Sequence, residues 1–91
     1  MIKTVKHKAL SDLWSTGKTS KIDAKMHGRI LRRLDQLNAA VRSEDMNLLG
    51  FDFHRLHGKS IRYSVHVNGP WCITFEFENG DAYRVDYEQY H

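Results

Sequence analysis

The sequence has one cysteine, one proline and no long apolar run. The single Cys72 cannot form an internal disulfide or build a thiolate zinc site, which agrees with a reducing compartment. Lysines interrupt the first apolar residues, Ile2 and Val5, so the sequence lacks the hydrophobic segment of a signal peptide, and no stretch reaches membrane-spanning length. Repeats and Gly/Ser linkers are also absent. We therefore expect a cytoplasmic protein with one domain over residues 1–91.

The charge of the chain is unevenly distributed. Residues 1–42 carry ten Lys or Arg against three Asp, whereas residues 43–91 carry four against eight acids. A basic half suggests contact with a polyanion, because neutralisation of phosphates gives affinity without sequence information. A solvated basic helix face explains the same charges without any ligand, and charge alone does not decide between the two interpretations.

The amino-terminal part predicts a strand followed by a short helix. Residues 2–6 alternate weakly, which is typical of a first strand. Residues 9–15 present Leu10, Leu13 and Trp14 on one helical face, and Gly17 is expected to end that helix.

The most regular segment predicts a long amphipathic helix, with Ser20 or Asp23 as its N-cap. Its apolar residues recur every three or four positions and form one stripe, which predicts packing against a core. The stripe comprises Ile22, Met26, Ile30, Leu34, Leu37 and Val41. Basic residues between them predict a cationic outer surface: Lys25, Arg29, Arg32, Arg33 and Arg42.

From Ile61 onward the apolar residues alternate with polar ones, which predicts three strands in a meander. A three-residue connection over residues 68–70 would place Val65 opposite Ile73 and Val67 opposite Trp71. A similar connection over residues 78–80 would place Phe75 opposite Tyr83, with Gly80 in a left-handed bulge position.

These registers predict a two-layer structure, with the helices on the apolar face of the sheet and an open polar face on the other side. The apolar face would hold most of the aromatic residues, namely Tyr63, Trp71, Phe75, Tyr83 and Tyr87. The polar face would display Arg62, Ser64, His66, Thr74, Glu76 and Arg84. Such a surface suits a long polymer better than a small metabolite. Across the first hairpin His66 would face Cys72, but two ligands are too few for a tight metal site, so no metal is expected.

Several motifs near the carboxyl terminus have recognisable spacing. They are His54-Arg55-Leu56-His57-Gly58, Trp71-Cys72-Ile73-Thr74-Phe75, Asn79-Gly80-Asp81-Ala82-Tyr83 and Tyr87-Glu88-Gln89-Tyr90-His91. With the long helix, they resemble the HigB branch of the RelE toxin superfamily over essentially the whole chain. The resemblance implies a RelE-like α+β fold, in which an N-terminal strand and two helices pack on a mostly antiparallel sheet.

The same resemblance implies a ribosome-dependent endoribonuclease that cleaves mRNA in the aminoacyl site without a cofactor. The expected partners are mRNA, the 30S ribosome with its 16S rRNA, and a HigA-type helix-turn-helix antitoxin.

The resemblance also implies a catalytic set. His54, Tyr90 and His91 match the family's motifs, and His57 is a further candidate nearby. Histidine suits either proton role in metal-independent RNA cleavage, because its ordinary pKa lies near neutrality, whereas Tyr90 is expected to orient the substrate or stack on a base. Gln89 occupies the position before the terminal Tyr-His pair, where the family pattern has an acid.

Cationic residues are expected to hold the RNA. The predicted contacts to RNA or the ribosome are Lys6, Lys8, Lys59, Arg62 and Arg84, together with Cys72. The family pattern has an arginine where this chain has Cys72, and Lys59 and Arg62 are expected to offset that missing charge. Two alternatives stay open: a catalytically weakened module that docks on the ribosome or antitoxin, and a gyrase inhibitor of the ParE type, which shares the fold.

Overall fold

A computed structural model describes residues 1–90 of the chain, and His91 lies outside the described residues. The helices are α1 (Lys8–Thr16) and α2 (Ala24–Ala39), followed by a short 3₁₀ helix, Ser43–Met46. The strands are β1 (His54–Leu56), β2 (Arg62–Asn68), β3 (Trp71–Glu78) and β4 (Asp81–Gln89). They form an antiparallel sheet in the order β1-β2-β3-β4. The predicted α+β class is confirmed.

The amino-terminal segment extends the sheet beside β4. Ile2 pairs with Ala82 and Val5 with Val85, both in parallel. The segment therefore occupies the edge position expected of a first strand, although it pairs through two isolated bridges rather than a continuous ladder.

Side-chain and backbone caps define both helices. The His7 side chain accepts from Leu10 N at the start of α1, and Gly17 ends that helix with a left-handed φ of 85°. Asp23 is the N-cap of α2, where its carboxylate accepts from Lys25 N at 3.0 Å. Of the two predicted caps for the long helix, the structure therefore selects Asp23 over Ser20.

The predicted apolar stripe of α2 faces the core along most of its length. Ile30, Leu34 and Leu37 are fully buried against the sheet. The prediction is wrong at Val41, which lies beyond the helix end and is 70% exposed. It is also wrong at Arg33, which was expected on the outer surface but is buried.

The first hairpin confirms part of the predicted register. Val65 pairs with Ile73 and His66 with Cys72. Trp71 is opposite Asn68 rather than Val67, because an irregularity between His66 and Asn68 shifts the register near the turn.

The second hairpin differs more. Asn79 and Gly80 form a two-residue turn with φ values of 53° and 82°, and Tyr83 pairs with Glu76 rather than Phe75. An extra residue near Arg84 forms a bulge within β4 and returns the side chain of Val85 to the core. The prediction had placed this extra residue at the turn. A longer turn and a bulge within the strand both keep the apolar residues of β4 on the core face, so the apolar pattern alone did not distinguish them. Tyr83 is therefore not on the core face, contrary to its predicted parity.

Candidate functional site

Within residues 1–90 the two helices pack on the apolar face of the sheet, and the register arranges polar side chains across the opposite face. His54 of β1 pairs with Ser64 of β2, and Ser64 pairs with Thr74 of β3. Two residues along the strands from this row, Cys72 of β3 lies between His66 of β2 and Glu88 of β4. Because alternate residues of a strand point to the same side, these side chains share what we call the polar face.

An open cavity of about 570 Å³ lies at the β1 end of the polar face. It brings together four of the residues predicted from the sequence, His54, His57, Cys72 and Tyr90. The rest of its lining is Asp52, Arg55, Leu56, Ser64, His66 and Gly69. We call it the histidine cavity.

Asp52 lies beside the principal candidate. Its Oδ1 is 3.0 Å from His54 Nε2, and both side chains are mostly exposed to solvent. Asp52 has a left-handed backbone with a φ of 46°. Asp tolerates that conformation better than most residues. Asp52 was not predicted from the sequence, since its position before β1 carries no motif.

Buried Arg33 holds the backbone that leads to this pair. Its Nε donates to His66 O at 2.6 Å and its Nη1 to Arg29 O at 3.1 Å. The guanidinium also lies 4.5 Å from the ring centre of Phe51, a cation–π contact. Phe51 O in turn accepts from His66 N at 2.6 Å. The backbone of Phe51, the residue before Asp52, is thus hydrogen-bonded to β2.

The end of β4 is held against the first hairpin. Tyr90 N donates to Pro70 O at 2.7 Å, and the Tyr90 side chain stays 40% exposed beside the cavity. His66 Nε2 lies 2.9 Å from Gly69 O, so this ring is engaged within the turn. The His66 ring therefore has Gly69 O as a hydrogen-bond partner, whereas the Tyr90 side chain lines the cavity.

A charged cluster occupies the centre of the polar face. The Arg62 guanidinium donates to Glu88 and, at 2.8 Å, to the Thr74 hydroxyl, which also donates to Glu88. Arg62 and Glu88 are each about one third exposed. The positive charge expected to face RNA at Arg62 is therefore balanced by Glu88. No role was assigned to Glu88 from the sequence, because its position opposite Cys72 depends on the turn and the bulge of β4.

The sequence matches the family described as RelE-like toxin of type II toxin-antitoxin system HigB over residues 3–91. The chain belongs to the HigB toxin family. It is also 41% identical to a protein of Proteus vulgaris named Endoribonuclease HigB, over 92 aligned residues that cover 100% of both chains. As a member of a type II toxin family, the chain has an antitoxin as partner. Across residues 1–90 no helix has the length and apolarity needed to cross a membrane.

Cys72 is the main point at which this HigB family member differs chemically from the motif it resembles. The thiol is buried, and desolvation, reinforced by Asp52 and Glu88, raises its pKa above the ordinary range of a cysteine. It is thus a neutral group at the centre of the site. His66 and Cys72 are paired as predicted, but no group of three or more metal-ligating side chains is found within residues 1–90.

The other predicted contacts lie outside the histidine cavity. Gln89 alternates with Glu88 and pairs with Trp71, so the structure does not bring it into the cavity. Lys6 lies on the amino-terminal segment, Lys8 pairs with Asp12 at 3.0 Å, and Lys59 is exposed between β1 and β2. Arg84 lines a second cavity. His91, a predicted catalytic residue, lies outside the described part of the chain.

Proposed function

We propose that this HigB family chain is a toxin endoribonuclease that cleaves mRNA in the aminoacyl site of the ribosome. The observation that carries the proposal is the convergence of His54, His57 and Tyr90 on one open cavity of the polar face. A single-stranded RNA can lie across such a surface without entering an enclosed pocket. The name of the Proteus vulgaris relative, Endoribonuclease HigB, supports the endoribonuclease part of this proposal.

The proposed chemistry uses the RNA's own 2′-hydroxyl as nucleophile. One group removes the hydroxyl proton while the oxygen attacks phosphorus, and a second group protonates the departing 5′-oxygen. The products are a 2′,3′-cyclic phosphate and a 5′-hydroxyl. His54 is the first candidate for proton transfer, with Asp52 orienting its ring at 3.0 Å. His57 and His91 are the candidates for the second role, and Tyr90 is placed to stack on a base or orient the phosphate.

The phosphate needs positive charge, and its source differs from the prediction. Cys72 supplies none, and Glu88 neutralises Arg62. Arg55 lines the cavity and is exposed, so it is the cation best placed for this role. Lys59 lies nearby in sequence and is also exposed, so it is the second candidate. Lys6, Lys8 and the basic surface of α2 would then contact ribosomal RNA in the 30S subunit.

We further propose that the antitoxin is of the HigA helix-turn-helix type. This rests on the family membership, since type II toxins are neutralised by direct protein binding. Co-purification of this chain with a HigA-type protein, followed by loss of cleavage in the complex, tests the proposal.

Purified chain in a reconstituted translation system tests the activity. Wild type and Glu44→Ala, which changes an exposed residue outside the cavity, are expected to cut the message at defined sites mapped by primer extension. His54→Ala is expected to lose roughly 100-fold or more of the rate, the usual contribution of a general acid or base. Supercoiling by DNA gyrase is measured beside it. Inhibited gyrase with an intact message would instead support the ParE-type alternative.

A second candidate function is docking with little or no cleavage. It is favoured by the neutral thiol of Cys72 and by the ion pair that occupies Arg62. Introducing Cys72→Arg separates the two. A large gain in cleavage means that the native chain acts mainly by binding, whereas unchanged and substantial cleavage means that other groups stabilise the phosphate.

A further inference from the structure

A second cavity of about 570 Å³ opens next to the amino-terminal segment. It is lined mainly by apolar and acidic side chains, with one arginine. Its lining residues are Thr4, Ser60, Ile61, Glu76, Phe77, Glu78, Tyr83 and Arg84. Glu76 follows Cys72 and Thr74 on alternate positions of β3, so this cavity lies on the same polar face as the histidine cavity.

The two cavities are within reach of one RNA strand. Cys72 of the histidine cavity and Glu76 of the second cavity are four residues apart on β3. At about 3.4 Å per residue, that separation is roughly 14 Å. A nucleotide in the second cavity would therefore be a neighbour of the cleaved linkage and not part of it.

A strained bulge builds this cavity. Arg84 has a left-handed φ of 49°, which is uncommon for a residue with a side chain. Its backbone N donates to the Thr4 hydroxyl at 2.7 Å, and Val85 N donates to Thr4 O at 3.1 Å. Because of the bulge, the consecutive residues Tyr83 and Arg84 both line the cavity, while Val85 returns to the core. Strain of this kind persists where the surrounding structure enforces it and is concentrated at functional sites.

The charges of the cavity select one part of a nucleotide. Glu76 and Glu78 outnumber Arg84, and the Arg84 Nε lies 3.9 Å from Glu76. A net negative cavity repels phosphate. A carboxylate does, however, accept hydrogen bonds from an exocyclic amino group, as acidic side chains do from cytosine N4. Tyr83, paired directly with Glu76, supplies a ring on which a base can stack.

We propose that this second cavity binds a nucleobase of the substrate RNA, stacked on Tyr83 and read by Glu76 through its exocyclic amino group. The inference rests on the proposed function, since it assigns a specificity site to the same RNA. It favours cytosine, adenine or guanine over uracil, because uracil presents only carbonyl oxygens where the others carry an amine.

Cytosine carries the exocyclic amino group that uracil lacks, so these two bases form the sharpest pair of probes. Ribosomes are programmed with uncleavable 2′-O-methyl mRNAs whose aminoacyl-site codon and flanking nucleotides are either all cytidine or all uridine, and the Kd of the chain is measured for each. Wild type is expected to bind the cytidine message roughly 5- to 100-fold more tightly, the range of a specific base contact. Glu76→Gln is expected to lose the preference, because an amide both donates and accepts. Glu44→Gln, the same change at an exposed site outside the cavity, is expected to keep it.

Stacking is tested separately from edge recognition. Tyr83→Ala is expected to weaken binding of both messages by roughly 5- to 100-fold, the value of one base–aromatic stack, whereas Tyr83→Phe retains it. Vacant ribosomes serve as the reference, and there all variants are expected to bind alike.

Equal affinity of wild type for the two messages, or an unchanged preference in Glu76→Gln, would overturn the inference. Loss of affinity by Tyr83→Ala on vacant ribosomes would overturn it too, because the contact would then belong to the ribosome. Failure of the proposed function is distinguishable: the cytidine preference would be present while the matching cleavable mRNA stays intact.

Discussion

Asp52 Oδ1 lies 3.0 Å from His54 Nε2, and the two side chains stand at the solvent edge of the histidine cavity. A carboxylate in this position fixes the ring orientation of a histidine and decides which nitrogen faces the substrate. Asp52→Asn is expected to lower the rate of mRNA cleavage by roughly 10- to 100-fold through misplacement of the imidazole. Single-turnover cleavage on programmed ribosomes measures it. Asp35→Asn on the exposed side of α2 is the control, and equal rates for the two variants would contradict the role of Asp52.

Arg33 connects α2 to the loop that carries Asp52. Replacement by Met keeps the length of the side chain but leaves the carbonyl of His66 without its donor. Arg33→Met is expected to lower the free energy of unfolding by about 2 kcal/mol, the cost of an unsatisfied buried polar group. Urea denaturation measures the loss. The neighbouring exposed Arg32→Met is expected to change it by less than about 0.5 kcal/mol. Similar losses for both variants would mean that Arg33 acts only as a general helix residue.

Glu88 neutralises Arg62 in the free protein. Glu88→Gln removes that charge, so the Arg62 guanidinium is expected to become available to an RNA phosphate. The slope of log affinity against log salt for a single-stranded RNA is then expected to steepen by about 0.7, the value for one additional phosphate contact. The double variant Arg62→Met with Glu88→Gln is expected to lose that gain. If the slope for Glu88→Gln is identical to that of wild type, Arg62 does not become available to an RNA phosphate when the charge of Glu88 is removed.

Burial raises the pKa of Cys72 and of Tyr87, so both groups favour their protonated forms in the folded state. The unfolded chain releases these protons at lower pH than the folded chain does. Their contribution to stability is therefore complete below the unfolded pKa values and is lost as the pH rises through them. The free energy of unfolding is expected to fall between about pH 8 and about pH 11.

The variants Cys72→Ala and Tyr87→Phe serve as controls for this pH dependence. Each is expected to flatten part of the decline. A wild-type stability that rises over that interval would contradict the assigned direction of both shifts.

Much of the fold follows from the sequence, because helical and strand periodicities report which face of each element is buried. The stripe from Ile30 to Leu37 and the pairing of Val65 with Ile73 are examples. The bulge at Arg84 was not predictable, since a turn of different length gives the same alternation of apolar residues. Arg33 was misplaced for a related reason: its charge suggested solvent, whereas its partners are backbone carbonyls that no side-chain pattern reveals.

The candidate site was predicted to a similar extent. The resemblance identified His54 and Tyr90, and His57 was a further candidate near His54 in the sequence; the structure brings these three together. It did not identify Asp52 or Glu88, whose roles depend on contacts between loops and strands. The ion pair of Arg62 with Glu88 was not predicted either, because this contact across the sheet depends on the register of β4.

His54 is the residue proposed to carry out proton transfer during cleavage of an RNA linkage at the histidine cavity. The most direct measurement compares wild type with His54→Ala on ribosomes programmed with one defined mRNA, with the new termini analysed by mass spectrometry. Wild type is expected to yield a 2′,3′-cyclic phosphate and a 5′-hydroxyl, and His54→Ala is expected to cleave at a rate lower by roughly 100-fold or more. Equal rates for the two proteins, or a product that ends in a 5′-phosphate, would contradict it.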